Sequence, residues 1–279
     1  MTEKKICAIT GCSSGIGKST AIEMATLGYS ILMLVRDSDK SRAAFDEIKT
    51  AAGSDDVKLS YVDLASQKSI RAAAAKMASE YQRIDVLINN AGVFKRKRAV
   101  SPEGIEMTLA VNYFAPFLLT NLLLPLVKGS PDGRIVNLSS ELYKKGNINL
   151  TGSPSDGRFN GSKAYADSKL LLVMFTRELA RRLAGSSILV NCLHPGVVAT
   201  DVFREYPRWF AKLMNRLISK PEDAAKYVAN LAMSSELDGI SGKYFSKSKM
   251  EPINEKALSS ESSKQVWAES EQMTGFVEA

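Results

Sequence analysis

Short apolar runs return at 5–10, 30–35, 57–62, 84–88, 134–138 and 188–193, and stretches compatible with helices fill the gaps near 16–27, 39–51, 67–81, 104–128 and 164–184. This alternation constrains the chain more than any other feature. Runs such as SILMLV (30–35) are apolar without a polar residue at every second position, the pattern of strands covered on both faces. Strands that alternate with helices build parallel βαβ units joined by right-handed crossovers. The reading is an α/β fold: one doubly wound parallel sheet with helices on both faces, in a single domain over 1–279. A later run, GKYFS at 242–246, adds an edge or closing strand. Neither a repeat nor a low-complexity linker divides the chain, and 45% apolar residues suffice for a sizeable core.

Several function classes recede. The segment 109–127 is the most lipid-like, but Asn112, Pro116, Asn121 and Pro125 interrupt it, so it reads as a buried helix and no transmembrane segment is expected. The opening MTEKKICAIT has no long apolar stretch and no small-residue cleavage site of a signal peptide. Cys7, Cys12 and Cys192 form no CxxC and read as reduced thiols of a cytoplasmic protein. The single histidine, His194, reads as a packed or partly exposed imidazole, and no metal site is expected. Of the net charge of +7, the run KRKR at 95–98 supplies four. Without any nucleic-acid fold signature it reads as a solvated loop, and no nucleic-acid partner is expected. A basic surface can still steer anionic cofactors or membrane surfaces.

Two stretches break the rhythm. Residues 141–163 are polar and rich in Gly, Asn and Ser, a long excursion after the fifth strand. Residues 201–220 carry Phe203, Trp209, Phe210, Leu213 and Met214 among basic side chains. That segment is either a lid over an apolar ligand, with Phe203 and Trp209 as substrate contacts, or a surface helix packing an apolar stripe on the core.

The first strand ends in TGCSSGIG (10–17) directly before a helix-compatible run. There a pyrophosphate can meet backbone N–H groups and the positive end of a helix. Gly11 allows the turn, Gly15 the close approach and Gly17 tight helix–sheet packing, with Ser13, Ser14 and Ile16 completing the loop. The order is G-x-x-x-G-x-G. After the second strand comes Arg36, whose planar fork suits an extra phosphate, and then Asp37, which points the other way. NADP(H) is the expected cofactor, with NAD the alternative.

In KAYADSK (163–169), Tyr165 and Lys169 stand four apart and share one helix face. A phenol begins near pKa 10; a unit charge about 5 Å away at an effective dielectric of about 20 would lower it by some two units. Lys169 is therefore expected to make Tyr165 usable as a proton donor and acceptor. Bland roles stay open beside the chemical ones: Ser140 as a strand-end cap, Asn112 as a helix residue bonding to backbone, Asp63 and Thr200 as helix caps.

TGCSSGIG, NNAG at 89–92, Asn112 in LAVNYFAPF, Ser140 closing GRIVNLSS, YADSK at 165–169 and HPGVVAT at 194–200 follow one another in an order that resembles the short-chain dehydrogenase/reductase family. Within it, the 25 positions between Ser140 and Tyr165 and the C-terminal stretch from Gly242 to Phe276 resemble the retinol dehydrogenase-like group. The resemblance implies a Rossmann-like fold, with 1–200 as the cofactor-binding and catalytic core, 201–220 as the substrate lid and 250–279 as a C-terminal extension. It implies NADP(H)-dependent interconversion of a carbonyl and an alcohol, on an apolar or retinoid-like substrate. Ser140 would polarise the substrate oxygen, Tyr165 would pass the proton, Lys169 would also bond the nicotinamide ribose, and Asn112 would hold a relay water. Asn90, Ala91 and Gly92 would lie beside the cofactor, Asp63 and Leu64 near its adenine, and Pro195, Gly196, Val198 and Thr200 around its nicotinamide end. Val35 stands where NAD-preferring members carry an acid, and homodimers or homotetramers are common in the family. Many members of the retinol group have an N-terminal membrane anchor that this sequence lacks, so a cytoplasmic location is expected. The competing readings are a reductase of polar ketones, such as sugar or acyl-carrier substrates, and a non-enzymatic NADP(H)-sensing protein.

Overall fold

A computed structural model describes residues 4–152, 159–196, 219–253 and 259–277. Its first six strands are β1 (Ile6–Thr10), β2 (Ser30–Val35), β3 (Val57–Tyr61), β4 (Val86–Asn89), β5 (Arg134–Leu138) and β6 (Leu189–His194), followed by β7 (Tyr244–Ser246) and β8 (Lys249–Glu251). They form one sheet in the order β3-β2-β1-β4-β5-β6-β7-β8. All pairings are parallel except the last, β7 with β8.

The continuous apolar runs follow from period-two geometry in a sheet covered twice. In β1, Ala8 faces one cluster together with Leu32, Leu87 and Ile135, while Cys7 and Ile9 face the other with Ile31, Met33 and Ile88. The first cluster is roofed by α3 (Gln67–Glu80), α4 (Met107–Lys128) and α5 (Gly161–Arg182). The second is roofed by α1 (Gly15–Thr26), α2 (Asp39–Ala52) and α6 (Pro221–Met233). The apolar α4 is long enough to cross a membrane, yet 83% of its most apolar window is buried inside the fold, in keeping with a core helix.

Three elements were not anticipated. Helix α6 begins with Pro221 at its first position and Glu222 and Asp223 in its first turn, signals that were available in the sequence. Helix α7 (Ser260–Thr274) starts behind Ser259, which accepts from the Ser262 N–H at 3.1 Å, and buries Val266 and Trp267 in the first cluster. Strand β8 exposes Lys249 and Met250 and carries no apolar run; it is reached through Lys247, at φ +55°, and makes the sheet's last edge antiparallel. Of the polar excursion at 141–163, the described part opens with a 3₁₀ turn, Glu141–Lys145. The first 18 residues of the 201–220 stretch lie outside the described residues.

Candidate functional site

The candidate residues gather beyond the carboxyl ends of β1, β4, β5 and β6, where the strand order reverses between β1 and β4 and a doubly wound sheet leaves a crevice. The glycine turn after β1 has the backbone expected of it. Gly11 sits at φ +68° and Gly15 at φ +54°, conformations that side-chain-bearing residues rarely adopt. A Cβ on Gly11 would come within 2.9 Å of Ala91, and one on Gly17 would strike Asn90 and the Gly11 carbonyl. Asn90 clamps the turn: its Nδ2 donates to Thr10 O at 2.7 Å and to Gly11 O at 3.3 Å. Thr10 Oγ1 accepts from the N–H groups of Asn90 and Ala91, both at 3.0 Å. Helix α1 starts at Gly15 with no acid in its first turn and no cap from the Ser14 side chain. Ser13 is half-buried and Ile16 packs on the second core cluster. Backbone N–H groups at an uncapped helix start, in a turn too tight for side chains, fit a dinucleotide pyrophosphate.

At the end of β2, Arg36 is exposed, while Asp37 is engaged by Arg42, whose other terminal nitrogen bonds Asp39 at 2.8 Å. The acid that confused the cofactor reading therefore already has a cationic partner. Past β3, exposed Asp63 accepts from the Ala65 N–H at 3.0 Å, and Ser66, not Asp63, caps α3. Leu64 is half-buried against the first cluster.

Asn112 occupies a π-helical turn, Ala110–Phe114, within α4. Such turns widen a helix locally and recur at functional sites. The Asn112 carboxamide is fully buried; Oδ1 accepts from Val93 N at 2.7 Å, and Nδ2 donates to Val93 O at 2.9 Å and Ser168 Oγ at 3.2 Å. The bland expectation of a bond to backbone holds, but the bond reaches a neighbouring loop instead of the helix itself. Gly92 faces both Asn112 and Lys169: a Cβ there would lie 3.5 Å from Asn112 Oδ1 and 3.7 Å from Lys169 Nζ.

Helix α5 presents Tyr165 and Lys169 on one buried face, 7% and 4% exposed. Lys169 Nζ lies 5.6 Å from the Tyr165 ring centre and donates to Leu138 O at 2.7 Å. Ser140 stands close enough to the Tyr165 phenol to lower its pKa, and the Phe94 ring stands 5.9 Å from the tyrosine ring. Ser140 also caps the 3₁₀ turn, its Oγ accepting from Leu142 N at 3.3 Å. The cap and the phenol contact thus coexist on one hydroxyl.

The electrostatics correct one expectation. Tyr165 is not lowered by Lys169; burial pushes its phenol up to about 12, with Ser140 pulling the other way. Burial likewise draws Lys169 down to about 8. Both groups have lost water, so each is driven toward its neutral form, and that desolvation outweighs the attraction between ammonium and phenolate. The two-unit lowering assumed a charge in a wetter setting.

Beyond β6, Pro195 is buried and Gly196, at φ +92°, packs against Lys247. Val198, Thr200, Phe203 and Trp209 lie outside the described residues. His194 is half-buried; burial lowers its pKa, opposed by Glu141 and Glu251. The cysteines are all buried, with Cys12 and Cys192 pushed up to about 12, so none is a ready nucleophile.

Sequence reasoning missed the polar chain beneath the site. Asn89 Nδ2 donates to Thr120 Oγ1 at 2.9 Å and Asn137 Oδ1 at 2.8 Å, and Asn137 Nδ2 donates to Thr176 Oγ1 at 2.9 Å. It ties β4 and β5, in register at 89 and 137, to α4 and α5. The signal was present: Asn137 sits inside the run 134–138 and Asn89 directly follows the run 84–88.

The family described as short chain dehydrogenase matches residues 5–210. Human retinol dehydrogenase 13 is 40% identical over 281 residues, covering 98% of this chain and 85% of that protein. Human retinol dehydrogenase 14 is 38% identical over 292 residues, covering 98% and 87%. Among solved structures, an uncharacterised protein of Mycobacterium paratuberculosis superposes with a TM-score of 0.78 at 29% identity, over 99% of this chain and 95% of the other. A short chain dehydrogenase of Salmonella enterica serovar Typhi superposes with a TM-score of 0.69 at 25% identity, over 88% and 97%. With its glycine turn, its Ser–Tyr–Lys edge and relatives matched nearly end to end, the chain belongs to the short-chain dehydrogenase/reductase family, in the company of the retinol dehydrogenases.

Proposed function

We propose that the protein is an NADP(H)-dependent oxidoreductase that interconverts a carbonyl and an alcohol on an apolar, retinoid-like substrate. The observation that carries this reading is the convergence of Ser140 on the Tyr165 hydroxyl, with Lys169 buried directly behind. The turn from Gly11 to Gly17, Asn90 and Gly92 would hold the dinucleotide, and Arg36 would take its extra phosphate. When bound, that cofactor gives or takes a hydride.

Ser140 donates to the substrate oxygen as charge develops there. Tyr165 passes the proton to that oxygen during reduction and removes it during oxidation. With a phenol near 12, Tyr165 is fully protonated at neutral pH, a state ready for reduction; alcohol oxidation should quicken as pH rises. Lys169, near 8, can lose a proton close to neutral pH and so can resupply the phenol. Asn112 fixes the loop at Val93 and completes the wall around Lys169. The names of the relatives support the apolar substrate, and the 201–220 segment is assigned as its lid.

Stopped-flow NADPH oxidation across retinal, other apolar ketones and aldehydes, and polar ketones tests the reading. Tyr165→Phe should keep the fold and NADPH affinity while abolishing turnover. Retained turnover would remove Tyr165 from its role.

A further inference from the structure

Arg42 stands one turn into α2, where the positive end of the helix disfavours a cation. Its guanidinium reaches back across the Ser38 cap: one terminal nitrogen donates to Asp37 Oδ1 and the other to Asp39 Oδ1 at 2.8 Å. Asp39, Tyr61 at the end of β3 and Asp37 all hold that guanidinium in its charged form. Arg36, by contrast, is exposed and has no ion pair among the described residues. Asp37, Asp39 and Arg42 are exposed too, and exposed ion pairs contribute little to a fold. Their position points to another role. Gly11 N donates to Leu34 O at 3.0 Å, so the end of β2 adjoins the glycine turn, and Arg36 and Asp37 follow directly from it.

At that place the two residues pull in opposite directions. An arginine favours the extra phosphate of NADP(H), whereas an acid accepts from the ribose hydroxyl of NAD(H) and repels phosphate. Left alone, Asp37 would also pair with its neighbour Arg36 and withdraw it from a ligand. We infer that Arg42 is a specificity-determining residue: by occupying Asp37 it leaves Arg36 to the phosphate and withholds the acid from the ribose of NAD(H). This rests on the NADP(H) reading above, and it concerns a residue that need not touch the cofactor. Without Arg42, the two charges of the phosphate face one more negative charge. At about 8 Å in near-bulk water that weakens binding about sixfold.

Fluorescence titrations of the full chain with NADPH and NADH test the inference. Arg42→Gln should raise the Kd for NADPH about three- to tenfold and leave that for NADH unchanged or lower. The contrast should fade as salt rises. Adding Asp37→Asn to Arg42→Gln restores the net charge of the unaltered protein, and should return the NADPH Kd to within about twofold of its value. An unaltered thermal transition shows each variant is folded. An unchanged NADPH Kd in folded Arg42→Gln, equal losses for both cofactors, or no recovery in the double variant would each overturn the inference. Arg36→Ala separates it from the reading beneath. Equal losses there refute the phosphate assignment itself, whereas a selective loss there with no effect of Arg42→Gln refutes only the role of Arg42. If Arg42→Gln alone does not fold, the double variant decides, and a selective loss of NADPH affinity in it overturns the inference.

Discussion

Lys169→Met should make the protein more stable at neutral pH while removing its activity. The Lys169 ammonium is 4% exposed, and burial draws its pKa from the ordinary 10.5 to about 8. A folded pKa below the unfolded one means the unfolded chain binds more protons between the two values, so stability rises with pH across that window. Well below pH 8 nearly the whole penalty applies, about 3 kcal/mol. Replacing Lys169 forfeits its hydrogen bond to Leu138 O, worth about 1–2 kcal/mol with the carbonyl left short of a partner. The net gain at pH 6–7 is about 1–2 kcal/mol, or about 2–8 °C in Tm. It should shrink by about 1 kcal/mol between pH 6 and pH 9, as the native lysine sheds its proton. Calorimetric melts of both proteins at steps across that range measure it, and taking the difference removes the other titrating groups. A variant less stable at pH 7, or a stability gap that does not change with pH, would refute the claim that a buried charge is being held against its desolvation cost.

Three further outcomes are expected. Arg36→Ala should raise the Kd for NADPH much more than for NADH in fluorescence titrations, and equal losses would refute the phosphate assignment. The Tyr113 hydroxyl and Ser270 Oγ are 2.6 Å apart and buried, and Ser270 Oγ also donates to Val266 O at 2.6 Å. Ser270→Ala orphans the phenol and should cost about 1–3 kcal/mol, whereas Tyr113→Phe leaves Ser270 its other partner and should cost about 1 kcal/mol in denaturant melts; the reverse order would refute this bonding pattern. Trp267 lies 5.0 Å from Phe117 and 5.8 Å from Phe175 between ring centres, with the Arg182 guanidinium 4.1 Å above it. Trp267→Ala should cost about 3–5 kcal/mol, lowering Tm by about 6–20 °C.

The sheet was legible because five of its first six strands are covered on both faces, and double burial leaves an apolar run that no surface demand interrupts; only the edge strand β3 exposes residues, Lys58 and Tyr61. Strand β8 escaped notice for the same reason in reverse: at an exposed edge it needs no apolar side chain, and only the turn through Lys247 and pairing with β7 make it a strand. The site was legible as a set of residue types, since a glycine at 11 and a tyrosine four ahead of a lysine are local patterns. Its electrostatics were not, because burial is a property of the assembled fold. Spacing put Lys169 near Tyr165 but gave no measure of the water both would lose.

The C-terminal helix shows how far from the motifs the site's support lies. Tyr113 follows Asn112 in the π turn, and its hydroxyl is bonded by Ser270 of α7. The end of α7 is held in turn by Arg71, which donates to Thr274 O at 2.7 Å and Gly275 O at 2.9 Å. A π turn forgoes the regular helical bonding of its neighbours and persists only where surrounding contacts determine it. One side of this turn is braced by Val93 and Ser168 through Asn112 and the other by α7 through Tyr113. The widened turn is therefore gripped from both sides, and the stretch 259–277, which carries none of the catalytic motifs, helps set the position of Asn112 against Gly92 and Lys169.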